Sequence, residues 1–163
     1  MAKKKNIKRA DLMSLYMDYV LTHNQQPKSV YSFSKDNNFE EQKFYEHFNS
    51  FETLEKSIFK AFFDNTHDVL QKSEDYQSFD ARNKLLSFYY TFFEVLTANR
   101  SYVIYVLKNE KNKLKTLKTL SSLKSSFTKY VSTLDIKTLD LKEEKLEKLQ
   151  KRSVEKSAWI QLL

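Results

Sequence analysis

The 163-residue sequence contains no glycine. Glycine provides the positive-φ turns and the close backbone approach to a ligand that phosphate-binding loops, dinucleotide-binding loops and nucleophile elbows require. Most folds of nucleotide-dependent enzymes are therefore excluded. Tight left-handed turns in this chain must be made by other residues, and asparagine is the non-glycine residue that best tolerates that conformation.

The sequence also contains no cysteine. Disulfide frameworks, thiolate nucleophiles and cysteine-rich zinc sites are thereby excluded, and nothing indicates an oxidising compartment. The basic segment 1–10 is followed by Asp11 and Asp18 rather than by the apolar run of a secretory signal. The densest apolar stretch, residues 85–96, is far shorter than the roughly 20 residues of a membrane span and contains Glu94. We therefore expect a cytoplasmic protein without stable membrane insertion.

Hydrophobic residues make up 40% of the sequence and aromatic residues 15%, which suffices for a folded core although 30% of the residues are charged. The formal net charge of +7 is unevenly distributed, with +2 in residues 1–60, −2 in residues 61–107 and +7 in residues 108–163. A basic protein suggests nucleic acid as a partner, and positive charge should then lie on the surface that contacts phosphate. The lysine-rich segment 108–156 is most simply a set of solvated helix faces, with an acidic partner or a membrane surface as the alternative.

Apolar residues recur at helical spacing along nearly the whole chain. Leu54, Ile58 and Phe62, for example, follow one another at intervals of four. The alternation of apolar and polar residues that is typical of strands does not stand out. The sequence therefore predicts an all-α protein with helices at about Arg9–His23, Val30–Asp36, 40–47, 51–72, Ala81–Ala98, 102–107, 114–131 and 141–155.

Local signals set several of these boundaries. Ser29 can accept hydrogen bonds from the free backbone amides at the start of the second helix, and Asn49 and Ser50 are both candidate caps of the fourth helix. Asn37 and Asn38 can form a tight turn after the second helix. The polar residues 73–80 are expected to separate the fourth helix from the fifth.

Two segments leave alternatives open. The leucines from Leu114 to Leu123 recur every three residues and drift around a helix, so that this segment is either buried on two sides or interrupted. The apolar tail 158–163 either docks in the core or begins a further helix.

Two short helices joined by a tight turn, preceded by one helix and followed by a long one, describe a helix-turn-helix unit. Within this pattern residues 32–54 read SFSKDNNFEEQKFYEHFNSFETL. The segment resembles the DNA-binding region of the TetR family of transcriptional regulators, and the resemblance extends over residues 29–60. The positions that carry it are Phe33, the small residue Ser34, Asn38 where the family has glycine, Phe39, Phe44, Tyr45, His47, Phe48 and Leu54.

The resemblance implies a TetR-like fold with a helix-turn-helix DNA-binding domain at residues 1–60. It implies a helical domain for ligand binding and dimerisation at residues 61–163. A protein of this kind is a homodimeric transcriptional regulator that binds double-stranded operator DNA and is controlled by a hydrophobic small-molecule effector.

The resemblance also implies which residues contact DNA. Gln42 and Lys43 would face base edges in the major groove, whereas Tyr45 and His47 would hydrogen-bond to phosphates and set the register. Additional salt-sensitive contacts are expected from Lys28, Lys3, Lys4 and Lys5.

Four residues depart from the family pattern. Glu40 and Glu41 begin the third helix, where the family has a small hydroxyl cap followed by neutral or basic residues. Glu46 adds a third carboxylate, and Phe51 stands where the family usually offers a lysine to the DNA backbone. An alternative function therefore stays open, namely a TetR-fold protein that binds a small molecule or lipid and has lost DNA binding.

Large aromatic residues are concentrated in the second half of the chain. Rings at helical spacing usually form an ordinary core, but large rings with phenolic tips also leave gaps that suit an elongated apolar ligand. The resemblance favours a ligand cavity in this part of the chain. The candidate pocket residues are Tyr89, Phe92, Phe93, Tyr102, Tyr105 and Phe127.

Neither a catalytic nor a metal site is predicted. His23, His47 and His67 fall on separate predicted helices without the spacing of metal ligands, and no triad of serine, histidine and carboxylate is suggested by spacing. We expect no cofactor and no enzymatic activity. Glu94 is either buried among aromatic residues with a raised pKa or placed on the exposed stripe of its helix.

Overall fold

The computed structural model describes residues 6–108, 113–134, 136 and 144–162. Every regular element within these ranges is a helix, which confirms the predicted all-α class. The helices are α1 (Arg9–His23), α2 (Val30–Asp36), α3 (Glu41–Tyr45), α4 (Phe51–Gln71), α5 (Glu74–Ser78), α6 (Ala81–Ala98), α7 (Arg100–Leu107), α8 (Lys113–Thr119), α9 (Ser121–Thr133) and α10 (Glu144–Leu162).

The chain divides into two compact units. Unit 1 consists of Met1–Phe59 and Asn99–Leu120, and unit 2 consists of Lys60–Ala98 and Ser121–Leu163. Unit 1 therefore contains α7 and α8 in addition to the N-terminal helices. The functional division near residue 60 stays a prediction, because compactness alone does not show which part binds DNA or ligand.

Side-chain caps begin α2 and α4 where the sequence predicts them. The Ser29 hydroxyl accepts a hydrogen bond of 3.1 Å from the backbone N–H of Ser32. The Ser50 hydroxyl accepts one of 3.2 Å from the N–H of Thr53. Such caps satisfy amides that the helix itself leaves unpaired.

Asparagine makes the left-handed turns among the N-terminal helices α1–α4, which are called the head below. Asn38 has φ 56°, which confirms the predicted turn between α2 and α3, and Asn24 has φ 51° at the end of α1. The third helix is shorter than predicted, running from Glu41 to Tyr45 instead of over residues 40–47. Glu40 provides no side-chain cap for it, which is consistent with a helix of little more than one turn.

Phe33 lies at the centre of the core of unit 1. Its side chain is fully buried. Five rings from α1, α3, α4 and the turn between α2 and α3 surround it with centroid distances of 5.6–6.5 Å and nearly perpendicular planes, an arrangement that favours aromatic packing. These rings belong to Tyr16, Tyr19, Phe39, Phe44 and Phe51.

A buried hydrogen bond joins α1 to α4. The Tyr16 hydroxyl donates to Oε1 of Glu55 over 2.5 Å, and both residues are almost completely inaccessible to solvent. Burial and the neighbouring Glu55 carboxyl raise the pKa of the Tyr16 phenol far above its usual range. The buried hydroxyl of Tyr102 in α7 has no hydrogen-bond partner among the described residues. Burial, with Glu55 as a second cause, also raises the pKa of Tyr102.

The polar segment 73–80 contains the short helix α5, which the sequence analysis did not predict. Ser73 caps this helix by accepting a hydrogen bond from the N–H of Tyr76. The Tyr76 and Tyr130 hydroxyls lie 2.6 Å apart, and the Tyr130 hydroxyl donates to the backbone oxygen of Lys84 over 3.1 Å. A local cap and a buried contact with Tyr130 therefore hold this short helix in a segment that is otherwise polar.

The leucine-rich segment is interrupted, which is one of the two alternatives that the sequence left open. Helix α8 ends at Thr119 and α9 begins at Ser121. Leu117 is 57% exposed, whereas Leu120 and Leu123 are buried. The side chain of Leu114 lies outside the described residues.

Helix α10 extends through the apolar tail instead of ending near residue 155, and residues 141–143 of the predicted helix lie outside the described residues. Ala158, Trp159 and Leu162 are buried in unit 2. The Trp159 ring lies 6.3 Å from that of Phe127, and the Tyr89 hydroxyl donates to the backbone oxygen of Ala158 over 3.0 Å. The tail therefore docks in the core as the end of a helix.

The turn at Asn38 can be tested by substitution. Asn38→Ala should lower the free energy of unfolding by about 1 kcal/mol, because alanine pays the steric cost of the left-handed conformation. Asn38→Gly should be nearly neutral or stabilising, since glycine adopts this conformation without strain. Urea unfolding followed by circular dichroism measures both effects. Equal stabilities of the two variants would contradict the role assigned to the turn.

Loss of the hydroxyl should lower the free energy of unfolding at one buried tyrosine, Tyr16, but not at another, Tyr102. Tyr16→Phe should lower the free energy of unfolding by about 2 kcal/mol, because it leaves the buried Glu55 carboxyl without its donor. Tyr102→Phe should leave stability unchanged or raise it by about 1 kcal/mol, because it removes a buried polar group that has no partner. Thermal and urea unfolding of the two variants make the comparison, and a similar loss in both would contradict it.

Candidate nucleic-acid interface and ligand cavity

Helix α3 presents a polar face on a head that the aromatic core holds in place. Phe44 on the inner side is fully buried, whereas Gln42 is exposed and Tyr45 is 50% exposed. The Tyr45 ring packs edge-on against Phe44 at 5.6 Å, so that its phenol is held at the surface. An exposed amide and an exposed phenol can hydrogen-bond to base edges and phosphate oxygens.

Lys43 forms an ion pair with Glu46, which lies at the end of the same helix. Its Nζ lies 2.9 Å from both carboxylate oxygens of Glu46, and both side chains are partly exposed. The segment from Ser29 to Ser50 contains two lysines and four carboxylates. The surface around α3 is therefore not basic, and Lys43, the one lysine of α3, is paired with Glu46.

Phe51 is partly buried and packs against the core. Its ring stacks on Tyr16 at 5.4 Å and packs against Phe33 at 5.6 Å and Phe44 at 5.2 Å. The position that offers a lysine to DNA in the family pattern is used here to hold α4 against α1, α2 and α3.

The other predicted DNA contacts lie outside helix α3 in the sequence. Lys28 is exposed just before α2, and His47 is partly buried beside Phe48. The predicted contacts Lys3, Lys4 and Lys5 lie outside the described residues. Sequence reasoning did not single out two residues of α2 that are also accessible, Tyr31 and Lys35, whose ammonium group lies 5.4 Å from the centroid of the Tyr31 ring.

The six predicted pocket residues lie in different surroundings, and their role in binding a ligand stays a prediction. Phe92 and Phe127 are buried in unit 2, where they pack against Phe88 at 5.6 and 5.4 Å, and Tyr89 packs against Phe127 at 6.0 Å. Phe93 is 48% exposed on α6, while Tyr102 and Tyr105 belong to unit 1. Glu94 is exposed, which is the second of its two predicted environments.

A cavity of about 640 Å³ lies in unit 2 between the beginning of α6 and helix α10. Its walls are mainly apolar and are formed by Ala81, Leu85, Ile136, Val154 and Ala158. This volume falls in the range of small-molecule sites. Polar groups also border it, namely Asp80, Arg82, Gln150, Ser153, Ser157 and Gln161.

Unit 1 contains a small polar cavity of about 20 Å³ beside Glu55. Tyr105, Lys115 and Thr119 are among its other lining residues, and its volume suits a single water molecule. A more open groove of about 480 Å³ is lined by residues of α1 and α7 with Asn24 and Lys108. Within the described ranges no group of three or more metal-binding side chains is assembled.

Helices long and apolar enough to cross a membrane are not found in the part of the chain that the structure describes.

Residues 84–163 match the model of the family described as tetracyclin repressor-like, C-terminal domain. The chain has a TetR-like C-terminal domain. This match supports the resemblance to the TetR family from a different part of the sequence than residues 29–60, which carry that resemblance. Comparisons with curated proteins and with solved structures gave no match.

Proposed function

We propose that this TetR-like protein is a homodimeric transcriptional regulator that binds operator DNA and responds to a hydrophobic small molecule. The observation that carries the proposal is the polar face of α3, with Gln42 and Tyr45 exposed on a helix whose opposite side is locked into the aromatic core. Rigid support of this kind lets a short helix read base edges, because a recognition side chain must be held in register with the DNA.

Each exposed group on this face has a role in the proposal. The Gln42 amide can donate to and accept from an adenine edge in the major groove, and the Tyr45 hydroxyl can donate to a phosphate. Lys43 reaches DNA only when it leaves Glu46, so its contribution is reduced by the cost of breaking that pair. Lys28, Tyr31 and Lys35 add hydrogen-bond donors from the approach to α2 and from α2 itself.

A second function is favoured by the negative charges on and next to α3. The three carboxylates Glu40, Glu41 and Glu46 would approach phosphate at an energetic cost, and Phe51 is committed to the core. On this second proposal the protein binds a small molecule or lipid and does not bind an operator.

Substitution of Glu46 separates the two functions. Glu46→Gln should raise DNA affinity about threefold to tenfold and steepen the dependence of log K on log salt by about one unit, because it frees Lys43 for phosphate. The measurement is fluorescence anisotropy with a palindromic duplex that the wild-type protein has selected from genomic fragments. Asp64→Asn is the matched control, because Lys60 and Asp64 form a similar pair on α4 outside the helix-turn-helix.

Equal affinities of Glu46→Gln and the wild type would show that α3 does not approach DNA in the proposed way. Failure of the wild-type protein to enrich any sequence, at low and at physiological salt, would favour the second function. A gain in the Asp64→Asn control would indicate a general effect of net charge.

For the effector we propose the cavity between α6 and α10. Its apolar walls can bury the body of a hydrophobic molecule, and the polar groups at its border can orient one polar end. Both proposed functions include this site, which therefore does not depend on DNA binding.

Filling the cavity should weaken ligand binding. Val154→Trp should reduce the affinity for the amphiphilic fluorescent probe 1-anilinonaphthalene-8-sulfonate at least about tenfold, because the indole occupies the space that the aromatic rings of the probe need. Lys151→Trp is the control, since Lys151 is exposed on the same helix and does not line the cavity. Fluorescence titration measures affinity and circular dichroism verifies the fold. Unchanged binding by a folded Val154→Trp would rule out the cavity as the site.

A further inference from the structure

The cavity between α6 and α10 is apolar on the inside and polar at its opening. Among its lining residues Ala158 is buried, and Leu85 and Val154 are partly buried. The polar lining residues that are exposed to solvent are Asp80, Arg82, Ser153, Ser157 and Gln161. A molecule with an apolar body and a polar end matches this arrangement, because its body leaves water while its end stays solvated.

Helix α10 provides both kinds of surface from adjacent rows. Val154 and Ala158 are four residues apart and form an apolar row. Ser153, Ser157 and Gln161 follow one another at intervals of four and form a polar row. Residues at this spacing lie above one another on one side of a helix. The apolar and polar parts of this wall therefore run side by side along the same helix.

The charge that faces a ligand is positive. Arg82 is the one cation among the described residues that line the cavity, and its guanidinium has neither an ion-pair nor a hydrogen-bond partner among the described residues. The Asp80 carboxylate lines the cavity too, but its Oδ1 accepts a hydrogen bond of 2.8 Å from the backbone N–H of Asn83. The free amides at a helix start stabilise such a carboxylate. Asp80 is thus engaged by α6, whereas the charge of Arg82 is available.

We propose that the effector of this cavity is an amphiphilic monocarboxylate, whose apolar chain lies between α6 and α10 and whose carboxylate meets Arg82. A guanidinium matches a planar carboxylate with two parallel N–H donors. One guanidinium balances one negative charge, which favours a carboxylate over a phosphate monoester with a charge of about −1.5 to −2 at neutral pH. The inference rests on the effector site of the proposed function and names the class of molecule that this site takes.

The two parts of such a molecule contribute differently to binding. Burial of the chain against Leu85, Val154 and Ala158 supplies most of the affinity, since it removes apolar surface from water. Arg82 is exposed, so that water and salt screen its charge. The guanidinium consequently selects among head groups by a modest factor. Molecules with the same chain and a neutral or cationic head should still bind, but more weakly.

Displacement of the neutral fluorescent probe N-phenyl-1-naphthylamine from the full chain tests this selectivity. At neutral pH and low salt, decanoate should bind about threefold to tenfold more tightly than decylammonium. Higher salt should weaken the binding of decanoate but not that of 1-decanol, because it screens only the charged head. This comparison uses the wild-type protein and needs no variant.

Substitution of Arg82 assigns the selectivity to one side chain. Arg82→Gln should weaken decanoate about threefold to tenfold and leave 1-decanol within about twofold, because it removes the charge and spares the apolar walls. Arg82→Lys should stay within about threefold of the wild type, and Arg82→Glu should reverse the order of decanoate and decylammonium. Arg152→Gln is the matched control, since Arg152 is exposed on α10 and does not line the cavity. Circular dichroism verifies the fold of each variant.

Three outcomes would overturn the inference. These are equal losses of decanoate and 1-decanol in Arg82→Gln, an equal loss of decanoate in Arg152→Gln, and tighter binding of decyl phosphate than of decanoate. Failure of the proposed function looks different. A full chain that does not take up the neutral probe lacks an apolar effector site altogether, whereas one that takes up the probe without distinguishing the head groups keeps the site and lacks the inferred selectivity.

Discussion

Packing of aromatic rings around Phe33 determines the form of the head. The buried ring of Phe33 is contacted by rings from α1, from the beginning of α4 and from the turn that leads into α3. Rings attract one another edge to face only within narrow limits of distance and angle. Displacement of any one of these helices would therefore disturb contacts with the others, which makes the orientation of α3 a property of the whole cluster.

The same packing has consequences for electrostatics. Phe51 contributes its ring to the cluster, and this position consequently cannot offer a cation to DNA. Lys43, the cation that remains on α3, is paired with Glu46. The fold of the head and its charge are thus separable properties, because burial fixes the former and exposed side chains fix the latter. DNA binding through α3 itself would therefore rely on hydrogen bonds and shape to a larger extent than on charge.

Sequence reasoning worked best where a single local interaction decides the outcome. Ser29 and Asn38 were correctly assigned because a cap or a left-handed residue acts within a few residues of chain. Helix α5 was missed because its order depends on the contact between Tyr76 and Tyr130, which are far apart in sequence.

Residues with two physically reasonable environments could not be placed from sequence. Glu55 has the position of an acid that interacts with the dipole at a helix start, yet it is buried and bonded to Tyr16. Phe92 and Phe93 are adjacent aromatic residues, and only the packing of α6 shows that one is core and the other surface. The predicted ligand pocket combined both kinds. Exposure, which separates them, is a property of the assembled unit.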